Sequence, residues 1–158
     1  MNTYLVVKFI HVVSSVVLVG TGFGSAFYMF CTLRSKDISG QALVVPLVVR
    51  ADWWFTTPAG IIQPVTGFAL AWMAGFPLTA SWLAASIGLY LVAGACWIPV
   101  VWLQLRMSAM AKEAVRKGTG LPERYWEYGR WWAALGYPAF AAMLAIFYLM
   151  VNKPSFGA

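Results

Sequence analysis

The stretch YLVVKFIHVVSSVVLVGTGFGSAFYMF, residues 4–30, decides the fold, because it is long, apolar and carries only two ionisable side chains besides its tyrosines, Lys8 and His11. A helix needs about 20 apolar residues to cross about 30 Å of hydrocarbon. Three further stretches meet this condition, at residues 53–75, 82–105 and 131–151, and the second has an apolar lead-in at 43–49. The sequence therefore predicts four membrane-spanning helices.

Composition indicates a membrane protein of one domain, covering residues 1–158. The chain is 61% hydrophobic and 10% charged, whereas soluble domains are about half apolar and about a quarter charged. The net charge of +6 does not indicate nucleic-acid binding, since no basic stripe with interleaved aromatic residues lies outside the spans. The expected partner is the lipid bilayer.

Basic residues are distributed unequally among the loops. The first loop holds Arg34, Lys36 and Arg50, the third loop holds six further Lys and Arg residues between Arg106 and Arg130, and the short second loop holds none. Cytoplasmic loops are enriched in Lys and Arg. We therefore predict an all-α, up-down-up-down four-helix bundle in a bacterial inner membrane, with both termini periplasmic.

The third loop itself predicts helix. Residues 106–117 contain no helix breaker, Gly118 and Gly120 end the run, and Pro122 can open the next helix. Helices three and four are therefore expected to extend into the cytoplasm as a hairpin.

Helix one has two distinct faces. At 100° per residue, one side carries a polar stripe and the other carries Gly20 and Gly24. The stripe consists of Tyr4, Lys8, His11, Ser15, Leu18, Gly22 and Met29. We expect the stripe to face the bundle interior. The glycine seam is expected to meet another helix or a second copy, in a homo-oligomer or a larger membrane complex.

His11 is the only histidine, and imidazole is a common axial ligand of haem iron. Ionisable side chains within a membrane usually face a cavity or a partner. Lys8, one turn nearer the outer surface, could pair with a haem propionate or bind iron itself. Met143 on helix four could be a second axial ligand. The alternatives are a His11 bonded to backbone or serine, a Lys8 that reaches the interface, and a Met143 that fills the core.

Helix two has a matching polar face. Its members are Asp52, Thr56, Ala59, Gln63, Thr66, Leu70 and Ala74. Pro58 and Pro64 each leave a backbone carbonyl without its helical donor. We expect a polar pocket between helices one and two, to which Ser15, Gln63 and Thr66 contribute. The alternative is a single interhelical hydrogen bond that fixes packing, worth ~0.6–2 kcal/mol.

No hydrolase, zinc-protease or phosphate-binding motif is present, so the sequence does not decide whether the protein is an enzyme. Two functions fit: a redox protein with one haem b near the outer leaflet, ligated by His11, and a non-enzymatic subunit or assembly factor without a cofactor. A third alternative is a transporter of a small solute or metal that uses a pocket formed by Lys8, His11 and Gln63.

Two segments carry a resemblance to known families. The segment VKFIHVV, residues 7–13, resembles helix one of the HemJ-type protoporphyrinogen oxidases and of copper-resistance protein D (CopD) domains. The segment RADWWFTTPAGIIQPVTG, residues 50–67, resembles an uncharacterised bacterial family of four-span membrane proteins. The first resemblance implies an oxidoreductase in which His11 ligates haem, although this chain has no second histidine.

Overall fold

The computed structural model describes residues 2–154, which contain helices and no strand. Helix α1 spans Thr3–Ser35 and α2 spans Ile38–Ala51. A π-helical turn, Asp52–Thr56, joins α2 to α3, Thr57–Met73, without a break. Helices α4, Ser81–Lys117, and α5, Glu123–Asn152, complete the chain. The all-helical prediction is confirmed for these residues.

Three of the helices, α1, α4 and α5, are long and apolar enough to cross a membrane. The prediction of four such helices is not met, because α3 by itself has 17 residues and a crossing takes about 20. The helical path that contains the predicted span 53–75 starts well before it, at Ile38. Asp37 caps that start: its carboxylate accepts hydrogen bonds from the backbone N–H groups of Ser39 and Gly40.

Helices α4 and α5 do extend beyond their predicted spans. The backbone of Gly118 takes a left-handed conformation with φ of 63°, which ends α4. Pro122 then precedes α5. Helix α1 also runs past its predicted end, to Ser35, because no breaker interrupts it before Lys36.

The tightest core lies at the end of the molecule where α1 meets α2 and α4 meets α5, here called the basic end because nine of the eleven Lys and Arg residues belong to it. Met29, Val45, Met107, Ala111 and Tyr125 are completely buried there. Towards the other end, most large apolar side chains of α1 and α3 are exposed. Helix α4 packs along α5 and α2, and α1 packs against α3 and α2.

Candidate functional site

A polar cluster joins the N-terminal part of α1 to the middle of α3. Nδ1 of His11 lies 2.8 Å from Oγ1 of Thr66, and Nε2 of His11 lies 3.2 Å from Nε2 of Gln63. The hydroxyl of Ser14 lies 2.5 Å from Oε1 of Gln63 and 2.9 Å from the carbonyl oxygen of His11. All four side chains are thus connected by hydrogen bonds.

The hydrogen bonds assign the proton on the imidazole. Thr66 donates its hydroxyl hydrogen to the carbonyl of Ile62, at 2.7 Å, so its oxygen accepts from Nδ1–H of His11. Nε2 of His11 is then unprotonated and accepts from the amide of Gln63. Both ring nitrogens of the only histidine are therefore engaged by protein groups.

The remaining predicted site residues lie outside this cluster. Ser15 donates to the carbonyl of Val12 within its own helix. Lys8 is exposed, and its ammonium makes no hydrogen bond or ion pair with a described residue. Met143 lines a separate cavity that His11 does not reach. The structure thus brings His11, Gln63 and Thr66 together and leaves Lys8, Ser15 and Met143 apart.

Ser14 belongs to the cluster, and the sequence analysis missed it. It is three residues from His11 on α1, just as Thr66 is three residues from Gln63 on α3, so helical spacing could have indicated it. The predicted glycine seam contacts no other helix of the described chain. A Cβ atom added at Gly20 or Gly24 would meet no heavy atom within 4 Å.

A cavity of about 750 Å³ lies between α1, α3, α4 and α5. Its walls consist of aliphatic, aromatic and small side chains, with a few polar groups. The aromatic members are Phe23, Phe27, Phe30, Tyr90, Trp97, Trp132, Tyr137 and Phe140. The glycines are Gly22, Gly60, Gly94 and Gly136. Because these glycines carry no side chain, they leave the space between the helices open.

Tyr90 closes a gap in the backbone hydrogen bonding of α3. Pro64 has no N–H to give to the carbonyl of Gly60, four residues earlier. The hydroxyl of Tyr90 on α4 donates to that carbonyl. This bond links α4 to α3, and the Tyr90 ring forms part of the cavity wall.

The polar part of the cavity is formed by Asp52, Thr56, Thr57 and Gln104. Thr56 donates to Oδ1 of Asp52 at 2.9 Å, and both residues are buried. Asp52, Thr57 and Gln104 also line a second cavity of about 180 Å³ between α2, α3 and α4. These three residues therefore form the wall between the two cavities.

The π-helical turn determines where Asp52 points. Thr57 donates both its hydroxyl and its backbone N–H to the carbonyl of Asp52, five residues earlier. A turn that is one residue wider than an α-helical turn changes which residues face inward. Asp52 and Thr56 face the interior, while Trp53, Trp54 and Phe55 are exposed.

Two buried polar atoms beside the cavity have no hydrogen-bond partner. They are Oε1 of Gln104 and Nε1 of Trp132. Buried polar groups in proteins are normally paired, so each of these two atoms has unused hydrogen-bonding capacity beside the large cavity. The described residues contain no group of three or more His, Cys, Asp or Glu side chains that could hold a metal ion.

Comparison with known proteins gives one result. No curated protein and no solved structure matches the chain significantly. A family model does match, over residues 5–154, which is nearly the whole length. The chain therefore belongs to the family described as "Predicted integral membrane protein (DUF2269)".

Proposed function

We propose that this protein binds an apolar small molecule inside the bilayer, in the 750 Å³ cavity between α1, α3, α4 and α5. The cavity is the observation that carries the proposal. Ligand sites commonly measure about 300–1,000 Å³ and have mostly apolar walls with a few polar groups. The cavity matches this description in volume and in its lining, in which Asp52, Thr56, Thr57 and Gln104 supply a polar end.

The glycines support the proposal because they leave space that larger residues could occupy. A Cβ atom at Gly22, Gly94 or Gly136 would meet no heavy atom within 4 Å. Helices in membranes usually use small residues to approach one another closely. Here the glycines face an opening instead, as a binding site requires.

The proposal includes a membrane placement. The continuous helical path from Ile38 to Met73 is proposed to make the fourth crossing, with the basic end in the cytoplasm and both termini in the periplasm of a bacterial inner membrane. The charge distribution supports this orientation. So does the buried core at the basic end, because the hydrophobic effect drives close packing in water and not in lipid.

A haem ligated by His11 is the second candidate. Histidines that ligate metals usually donate their other ring N–H to a fixed acceptor, and Thr66 is such an acceptor for Nδ1–H. The resemblance of residues 7–13 to the haem-binding oxidases adds to this support. Haem would have to displace the amide of Gln63 from Nε2, and Met143, in the other cavity, would not be the second ligand.

Association with a second copy is proposed for the glycine seam. Gly20 and Gly24 are open on α1, and the G-x-x-x-G spacing suits close contact between two helices. Light scattering in detergent should show a dimer that Gly24→Leu converts to a monomer. A wild-type monomer would contradict this assignment without affecting the cavity.

The experiment for the binding function is native mass spectrometry of the protein purified in a mild detergent. The wild-type protein should retain a small-molecule adduct in about 1:1 ratio, and Gly94→Leu combined with Gly136→Leu should lose most of it, because the two leucine side chains occupy part of the cavity. The control is Gly88→Leu, which lies on α4, also has open space at its Cβ and does not line the cavity.

The outcomes separate the two candidates. An adduct that persists in the filled variant, or no adduct at all, would contradict binding in the cavity. A visible spectrum of the same sample, recorded with and without dithionite, tests haem. A Soret band that disappears in His11→Ala would favour the haem function, and a colourless sample that carries the adduct would favour the cavity ligand.

A further inference from the structure

We propose that the ligand of the large cavity is a lipophilic cation, held by the carboxylate of Asp52 and the surrounding aromatic rings. This inference rests on the proposed binding function and adds the charge of the ligand. It starts from the one acidic side chain in the cavity wall.

Asp52 has no positive partner within the part of the chain that the structure describes. The side chain is 6% exposed, Thr56 donates a hydrogen bond to it, and the neutral side chain of Gln104 also interacts with it. The ion pairs of residues 2–154 join Glu113 to Arg116 and Lys117, far from this site. A buried carboxylate is costly unless a positive group or hydrogen bonds compensate it. A bound cation would provide that compensation.

The cavity wall contains no basic side chain. Lys, Arg and His are all absent from the residues that line it. A ligand with a carboxylate or phosphate head group would therefore bring a negative charge beside Asp52 with nothing to balance it. Fatty acids, anionic lipids and the propionates of haem are disfavoured in this cavity for that reason.

The unpaired amide oxygen of Gln104 also favours a positively charged ligand. Gln104 is 3% exposed, it lines the cavity beside Asp52, and its Oε1 has no partner. A second acceptor next to a carboxylate produces negative potential at this end of the cavity. That potential attracts a cation and repels an anion.

Aromatic rings form much of the remaining wall, although Phe23 and Tyr137 are themselves more than half exposed. Phe23 and Phe140 stack with their centroids 5.2 Å apart, and Trp97 and Trp132 belong to the same wall. The faces of aromatic rings carry negative charge density and attract cations, and other proteins bind quaternary ammonium groups with aromatic rings. A bulky cation with apolar substituents would match both the rings and the carboxylate.

The test compares two ions of the same shape and opposite charge, tetraphenylphosphonium and tetraphenylborate. Binding is measured by equilibrium dialysis against the full-length protein in phosphatidylcholine nanodiscs, with empty nanodiscs as the blank. The cation should bind at least about tenfold more tightly than the anion, a difference of about 1.4 kcal/mol. Asp52→Asn should weaken binding of the cation by about tenfold or more.

Two variants serve as controls. Asp37→Asn makes the same acid-to-amide change at the exposed cap of α2 and should leave binding of the cation unchanged. Asp52→Glu keeps the charge and should restore most of the affinity, which separates a charge effect from misfolding. Equal binding of both ions, or a cation affinity unaffected by Asp52→Asn, would overturn the cationic ligand alone. Absence of binding by either ion would overturn the binding function as well.

Discussion

The hydroxyl of Tyr125 on α5 donates a 2.6 Å hydrogen bond to Oε1 of Gln41 on α2, 84 positions earlier in the chain. Nε2 of Gln41 donates in turn to the backbone carbonyl of Thr32 on α1, also at 2.6 Å. Both side chains are completely buried. One amide therefore joins three helices inside the core of the basic end.

Tyr125→Phe should destabilise the protein by about 1–3 kcal/mol, because it leaves Oε1 of Gln41 buried without a donor. Unfolding in detergent, followed by circular dichroism, measures this loss. Tyr28→Phe is the matched control, since Tyr28 on α1 is 64% exposed, and it should change stability little. Equal stability of the two variants would mean that the hydrogen bond from Tyr125 makes no net contribution to the free energy of unfolding.

The same residue predicts a dependence on alkaline pH. Burial raises the pKa of Tyr125 above its ordinary value of 10.0. As the pH rises above about 10, the unfolded chain loses this proton while the folded chain keeps it, so the unfolded state becomes more favourable. The contribution is fully present below pH 10 and is lost above it. The stability difference between wild type and Tyr125→Phe should therefore shrink from about pH 9 to about pH 11, and a constant difference would contradict the assignment.

Hydrophobic periodicity identified the inward face of α1, but with an error of one residue. The polar stripe predicted Ser15, whereas the neighbouring Ser14 is buried and bonded to Gln63. Adjacent residues on a helix differ by about 100° in direction. A stripe drawn from the sequence does not fix the rotation of a helix against its neighbour, because that rotation is set by packing.

Helical periodicity places Asp52 and Thr56 on the same face as Gln63 and Thr66, and both are buried in the structure. The π-helical turn at Asp52–Thr56, which adds a residue to the turn and shifts the register between α2 and α3, could not be predicted from that period. The cavity could also not be predicted from the sequence, because its walls come from four helices and the sequence does not show which helices pack together. The all-helical fold was predictable, since long apolar runs need only a count of residues.

The contact between His11 and Thr66 predicts a measurable coupling between α1 and α3. His11→Ala and Thr66→Val should each destabilise the protein, and the double variant should lose less than the sum of the two. The expected coupling is about 0.6–1.7 kcal/mol, as for other interhelical hydrogen bonds in membranes. Thr79→Val, in the exposed connection between α3 and α4, is the control and should combine additively with His11→Ala.

Gly67 and Gly88 predict different consequences of adding one methyl group. A Cβ atom at Gly67 would lie 3.2 Å from Cε1 of His11, whereas one at Gly88 would meet nothing within 4 Å. Alanine is favoured over glycine in a helix by about 1 kcal/mol. Gly88→Ala should therefore stabilise the protein, and Gly67→Ala should stabilise it less, because the new methyl group would displace the imidazole. Equal melting temperatures for the two variants would argue against the close approach of α3 to His11.

The proposed orientation predicts which connections can be labelled from outside the cell. Thr79 lies between α3 and α4, and Thr119 lies between α4 and α5; both are exposed. Each would be changed to cysteine in a chain whose Cys31 and Cys96 are replaced by serine. A membrane-impermeant maleimide should label Thr79→Cys on spheroplasts and Thr119→Cys only after lysis, because the basic loops stay in the cytoplasm.

The labelling result also decides the path of residues 38–73. The connections at Thr79 and Thr119 lie on opposite sides of the membrane, because α4 crosses between them. If residues 38–73 also cross, the two ends of that path lie on opposite sides as well. The connection between α1 and α2 then lies on the side of Thr119, and Asp37→Cys should be protected in spheroplasts as Thr119→Cys is. Labelling of both Asp37→Cys and Thr79→Cys from outside would mean that residues 38–73 do not cross, and that three helices alone span the bilayer.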